Sequence, residues 1–314
     1  MNRFLAHCGA KYPIVQAPMG WIARSQLASA VCKAGGLGII ETSSGETDAC
    51  IGEIEKMKAL TDRPFGINLP LLFLRDPRMV EYVATSGVRF VTTSAGSPSK
   101  LMEALKGRNP DIIVYHVVPT LKAAIKAVEA GVDGLIVEGA EGGGFKNPDD
   151  VSSLVLLQAV RQAVDVPLVA AGGICDGRGM AAAFALGAEG IQMGTRFVSS
   201  AESPVHANYK QAIIDAPETG TLMLNKSGTP CVRALKTQRS QGIYEAGTMP
   251  KDTFGRILDL YFGGDMEASI GLAGQTAGLI DEIKPVDEII QGTISGFFDI
   301  CKRMGGLGQA ASFG

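Results

Sequence analysis

Two short segments of the chain carry the residue types that an anion-binding site needs. Ala170-Ala171-Gly172-Gly173-Ile174 and Gln192-Met193-Gly194-Thr195-Arg196 each continue an apolar run and offer backbone amides, the second adding a hydroxyl. Glycine lets backbone approach a phosphate closely because it has no Cβ. Taken singly, each glycine group reads equally well as a tight turn; in consecutive loops the two point to an anion. A third stretch, Val137-Glu138-Gly139-Ala140-Glu141-Gly142-Gly143-Gly144-Phe145, ends a strand in a carboxylate and runs on into glycines. Such a loop can lie flat against a ring, and Glu138 reads either as an acceptor for ligand hydroxyls or as a cap on a neighbouring loop.

Histidine is the side chain best suited to moving protons near neutrality, and there are three. His116 ends an apolar run, Val114-Tyr115-His116-Val117-Val118. Strand alternation sends Tyr115 and His116 to opposite faces, so an inward His116 is a candidate catalytic residue; a hydrogen-bonded structural histidine is the other reading. His206, beyond Pro204, reads as a positioning residue, and His7 precedes the first strand. Lys146 offers a charge to an anionic ligand or is merely solvated. Cys175 has no histidine partner in sequence and carries no nucleophile signature.

These residues need a scaffold that brings distant loops together, and the patterning predicts one. From Tyr12 to about Val198, short apolar runs alternate with longer amphipathic stretches, the signature of βα units on parallel strands. Strands are predicted at residues 14–16, 37–40, 65–68, 90–93, 112–116, 134–138, 168–170 and 190–193. Eight strands predict a closed barrel. Between them, residues 25–33 and 121–130 show helical spacing, and Gly35, Gly87, Gly131 and Gly187 fall where a helix C-terminus needs a left-handed residue. Beyond Ser203 the pattern changes, with helices predicted at 209–215, 253–262 and 266–280. The expected fold is therefore α/β: a (β/α)8 TIM barrel over residues 1–203, completed by a helix at 286–303, with a smaller, mainly helical cap at 204–285 and a flexible tail at 304–314.

In such barrels the active site lies at the C-terminal ends of the strands, and phosphates bind after strands seven and eight. That rule selects the two glycine segments above. Ala17, Pro18 and Met19 after the first strand and Asn68 at the end of the third face the same mouth.

Composition narrows the partners. Of 314 residues 46% are hydrophobic and 19% charged, which suits a packed core rather than disorder. A net charge of -3 with scattered lysines and arginines provides no footprint for nucleic acid or an anionic membrane. No stretch stays apolar long enough to span a bilayer, and six well-separated cysteines suit neither a zinc site nor a disulfide framework, so no metal is expected. A cytoplasmic protein acting on a small molecule is expected, with a homodimer as a compatible assembly.

The segments 13–20, 34–38 and 65–68, the 138–144 loop, Ala171-Gly172-Gly173, Gln192-Met193-Gly194-Thr195-Arg196-Phe197 and the stretch 271–280 together resemble the nitronate monooxygenase family, formerly called 2-nitropropane dioxygenases. The resemblance covers essentially the whole chain. That family includes flavin-dependent enoyl-acyl-carrier-protein reductases and NADH:quinone reductases. It implies an FMN-dependent oxidoreductase in which Ala17, Pro18, Met19, Asn68, Glu138, Gly142, Gly143, Gly172, Gly173, Gln192, Met193, Gly194 and Thr195 contact FMN. Lacking a dinucleotide-binding fingerprint, the chain would take NAD(P)H only transiently, over the flavin. Two departures stand out. The family usually has glutamine at the position of Glu138, and members acting on nitronates or enoyl compounds commonly carry a histidine at the position of Phe145, which cannot exchange a proton. Enoyl-thioester or quinone reduction is the alternative activity; a flavin-binding protein with little turnover and a flavin-free barrel enzyme acting on a phosphorylated metabolite are the alternatives of other classes.

Overall fold

The computed structural model describes residues 2–309. In chain order its strands are β1 (Ile14–Gln16), β2 (Ile39–Ile40), β3 (Gly66–Pro70), β4 (Phe90–Ser94), β5 (Ile113–Val118), β6 (Gly134–Glu138), β7 (Gly144–Lys146), β8 (Leu168–Ala171), β9 (Gly190–Met193), β10 (Thr221–Leu224) and β11 (Cys231–Leu235). Eight of these form one parallel sheet in the order β1-β9-β8-β6-β5-β4-β3-β2. A parallel bridge between Val15 and Leu37 joins β1 to the approach of β2, so the sheet closes into a (β/α)8 barrel.

Alternation divides each strand between two cores. Val15, Ile39, Phe90, Tyr115, Ile136 and Val169 fill the barrel interior. Their neighbours Ile14, Ile40, Val91, Val114, Leu135 and Leu168 face outward into the layer shared with the helices. The helix Arg3–Cys8 plugs the N-terminal end, where Phe4 meets Phe90 and Tyr115 edge-on at 6.0 and 5.7 Å between ring centroids. Chain reversals use the predicted glycines: Gly35, Gly87, Gly131 and Gly187 all have positive φ. Helix starts are capped by side chains, as when Asp176 accepts from the Arg178 and Gly179 amides ahead of the helix Gly177–Ala185.

The segment after the barrel differs in detail from its sequence reading. It contains a hairpin, β10 with β11, around the polar turn at Asn225, and β11 also pairs antiparallel with β7 to make a three-stranded sheet. Helices occupy Ala207–Ile214, Gln238–Ala246 and Ile257–Tyr261, and the outward core continues into Val205, Tyr209, Ile213, Leu260 and Ile280. The helix predicted at 266–280 is instead irregular chain with one 3-10 turn, Gln275–Leu279. Three glycines explain it, because each lets foreign backbone or a ring come within contact that a side chain would block. A Cβ on Gly271 would lie 2.8 Å from the Tyr209 ring, on Gly274 2.7 Å from the Glu141 carbonyl oxygen, and on Gly278 2.3 Å from Glu218 Cα.

The final helix, Val286–Gln309, packs against Ser25–Lys33 and Gly177–Ala185. It outruns its predicted end, so residues 304–309 of the expected flexible tail are helical; turns anchored by packing propagate the helix through Gly305 and Gly306. The rest of that tail, 310–314, lies outside the described residues. Among the described residues no helix is long and apolar enough to cross a membrane.

Candidate active site

Neighbouring strands β1, β9, β8 and β6 end side by side, and the segments predicted to hold an anion leave from these four ends. In register, Ala171 of β8 stands opposite Gln192 of β9 on one side and Glu138 of β6 on the other. The Ala17 amide donates to the Met193 carbonyl oxygen at 2.9 Å, which ties the β1 loop to the end of β9. Gly172 and Gly173 follow with φ of 85° and 76°, a conformation that exposes successive amides on one side of the chain. A Cβ on Gly173 would meet nothing closer than 3.6 Å, and one on Gly194 only Ala17 Cβ and Met19 Sδ at 3.6 and 3.8 Å. At both glycines a Cβ would make only ordinary van der Waals contact, without a clash.

Gln192 points inward by alternation with Ile191 and Met193, which belong to the outward layer. Its Oε1 atom is buried and has no hydrogen-bond partner within the protein. An orphaned acceptor of this kind costs free energy unless a ligand donates to it. Thr195 is partly committed: its Oγ1 accepts the Gly274 amide at 2.9 Å, leaving the hydroxyl proton for an anion. Met193 sends its side chain into the outward core and reaches the mouth through backbone alone.

Across the mouth, Asn68 is buried and donates from Nδ2 to Thr92 Oγ1 at 3.0 Å, while its carbonyl oxygen accepts from Thr42 Oγ1 at 2.7 Å. The glycine loop is stitched down from outside. Arg233 of β11 donates from Nε to the Ala140 carbonyl oxygen at 2.8 Å, and the Gln275 amide donates to that of Glu141 at 2.9 Å. Burial pushes the Arg233 pKa down against the opposing charge of Asp150. Gly143 packs beneath this segment, where a Cβ would lie 2.6 Å from the Ala273 carbonyl carbon. Glu138 forms an ion pair with Lys146 of β7.

His116 does not join this group. Tyr115, not His116, occupies the barrel interior; Val114 and Val118, on the same face of β5 as His116, belong to the outward layer. His116 Nδ1 shares a 2.6 Å hydrogen bond with Thr93 Oγ1, and burial pushes its pKa down to about 4, against a smaller opposing effect from the Gly96 backbone. The expected inward orientation is thus corrected by alternation counted from the bulky interior residue: only Tyr115 can fill the space left by Gly134 opposite.

Three features escaped the sequence reading. Thr92 needed the barrel register to be seen beside Asn68. Trp21, in the loop after β1, holds a φ of 61°, unusual for a bulky residue, and its buried Nε1 has no partner in the protein. Phe145 sits between Phe73 and Phe254, at ring-centroid distances of 5.5 and 5.9 Å. Phe73 lies beyond β3 and Phe145 beyond β6, strands that β4 and β5 separate, so these rings roof part of the mouth. No single sequence window contains two of the three.

A family model described as nitronate monooxygenase matches residues 2–78 and 71–295. The chain belongs to the nitronate monooxygenase family. As such it is an oxidoreductase. The solved structure of FabK from Thermotoga maritima is similar with a TM-score of 0.92 and 37% identity, over 97% of this chain and 98% of that one. A curated relative from Mycobacterium tuberculosis, (3aS,4S,5R,7aS)-5-hydroxy-7a-methyl-1-oxo-octahydro-1H-indene-4-carboxyl-CoA dehydrogenase, is 31% identical over 91% of this chain and 93% of its own length. The nitronate monooxygenase of Paraburkholderia phytofirmans is 30% identical over 66% of this chain and 68% of its own. The family match spans the glycine segments and the 271–280 stretch alike.

Proposed function

We propose that this nitronate monooxygenase family member uses FMN, with the phosphate above Gly172, Gly173, Gly194 and Thr195 and the ring toward Glu138, Gly142 and Asn68. The consecutive left-handed glycines Gly172-Gly173, beside the unpartnered Gln192 Oε1, carry this reading. Bound FMN supplies hydride and electron transfer, from a substrate or from transiently bound NAD(P)H to oxygen or an organic acceptor. The protein's own part is binding and orientation. Gln192 accepts one hydrogen bond from the ligand, backbone amides hold the anion, Asn68 is fixed by Thr92 and Thr42, and residues 204–285 cover the mouth from above. The substrate is a small molecule, and a homodimer is compatible with this arrangement. The purified protein should show the visible absorbance of oxidised flavin; a colourless protein that refuses added FMN overturns the reading.

A second reading concerns the acceptor, and Phe145 favours it. With an aromatic ring where a proton-exchanging histidine is usual, and two further rings beside it, the mouth suits an apolar acyl group better than a small nitronate. The Mycobacterium tuberculosis relative carries a fused-ring carboxyl-CoA thioester in its name, which supports a thioester substrate here. A panel of nitronates, quinones and enoyl-CoA thioesters, each under NADH and NADPH, separates the two: turnover confined to nitronates rejects the thioester.

A further inference from the structure

β7 is only three residues long, yet its alternation divides two very different side chains. Phe145 is 44% exposed on the aromatic side, whereas the Lys146 side chain is 3% exposed and its ammonium meets Glu138 Oε1. Burying an ammonium is costly unless a counter-charge accompanies it, and Glu138 is the one carboxylate it pairs with among the described residues. The pair lies directly beneath the glycine loop: a Cβ on Gly142 would come within 2.6 Å of Glu138 Oε1 and 2.7 Å of Lys146 Nζ. Gly172 is equally close to the same loop, its Cβ direction pointing to the Gly139 carbonyl oxygen at 2.9 Å and the Gly142 amide at 3.1 Å. A carboxylate on β6 thus sits one strand from the anion cradle, with its charge answered from β7.

We infer that Lys146 is a positioning residue whose charge cancels that of Glu138, so that a carboxylate can stand at the barrel mouth without repelling an anionic cofactor. This rests on the FMN reading above. Without Lys146, Glu138 would bring an unpaired negative charge near the phosphate and near any negative charge the ring acquires on reduction. Like charges a few ångströms apart near a protein surface repel strongly enough to change affinity by an order of magnitude or more. A neutral amide at position 138 would need no such partner; in this chain the carboxylate and the lysine occur together.

The test measures FMN affinity, by quenching of flavin fluorescence on titration into protein stripped of flavin, for wild type, Lys146→Met, Lys146→Arg and the double variant Glu138→Gln/Lys146→Met. Lys146→Met should weaken FMN binding about tenfold or more, Lys146→Arg should stay near wild type, and the double variant should recover to within about threefold. The flavin midpoint potential of Lys146→Met should fall, because a nearby unpaired carboxylate disfavours reduction, and should return in the double variant. Recovery in the double variant is the result a purely structural tether would not produce; if the double variant binds no better than Lys146→Met, or if Lys146→Met binds like wild type, the inference is overturned. Thermal melting of the flavin-free proteins identifies a variant that has failed to fold, and Lys146→Arg then decides: FMN binding at least tenfold weaker than wild type in a folded arginine variant also overturns it. Failure of the wild type to bind FMN removes the earlier reading instead.

Discussion

Tyr115 and His116 are adjacent on β5 and reach opposite sides of the barrel wall: the Tyr115 ring fills the interior against Gly134, while the His116 imidazole bonds Thr93 in the outward layer. The neighbour that looked like packing is in the barrel, and the one that looked like chemistry is in the wall.

That placement makes His116 a group that resists protonation in the folded protein. Its pKa falls from 6.5 to about 4 on burial, so between those values the unfolded chain binds a proton that the folded chain does not. Stability from this group is fully present above pH 6.5 and is lost as pH falls toward 4, by on the order of 3 kcal/mol. Melting temperature should drop more steeply over this window in wild type than in His116→Gln, with flavin affinity of the variant near wild type. Parallel pH curves would show that His116 is not responsible.

Gly134→Ala tests the interior. The added methyl would sit 2.3 Å from Tyr115 Cζ, a contact the closed barrel has no room to relieve. Overpacking of this kind costs about 1–3 kcal/mol or more, read by chemical denaturation. Tyr115→Phe should not relieve the clash, which is with the ring itself, whereas Tyr115→Leu combined with Gly134→Ala should recover part of the loss.

Gly173→Val tests the cradle. No atom lies within 3.5 Å of the new Cβ, so the cost to folding is that of a side chain at φ 76°, about 1–3 kcal/mol. The side chain would stand in the space proposed for the phosphate. The ratio of visible flavin absorbance to protein absorbance should fall to near zero in a folded variant, and a full complement of flavin would exclude this placement.

Phe145→Ala removes the middle ring of the aromatic roof. Because Phe145 is half-exposed, stability should fall by only about 1 kcal/mol. For thioesters with a bulky apolar acyl group, kcat/KM should fall roughly tenfold, mainly through KM, with little change for short acyl groups. Equal losses for both would assign the ring to folding alone. Phe145→His, which restores a proton-exchanging group, should raise activity on nitronates.

Much of this protein is determined by local sequence. The eight strand positions follow from short apolar runs and helix-ending glycines, because period and punctuation are properties of consecutive residues; β6 and β9 begin and end at their expected residues. The left-handed turn at Gly172-Gly173 after β8 is legible for the same reason. The tertiary structure alone decided which face of each strand looks inward. A period of two leaves Tyr115 and His116 interchangeable until the ring must fit opposite Gly134. It also decided that residues 266–280 are not a helix, because the close approaches made by Gly271, Gly274 and Gly278 involve partners distant in sequence. The juxtaposition of Lys146 with Glu138, and of Phe145 with Phe73 and Phe254, depends on β7 leaving the barrel to pair with β11. That pairing joins residues some ninety positions apart, and its long-range register is set by packing rather than by any local pattern.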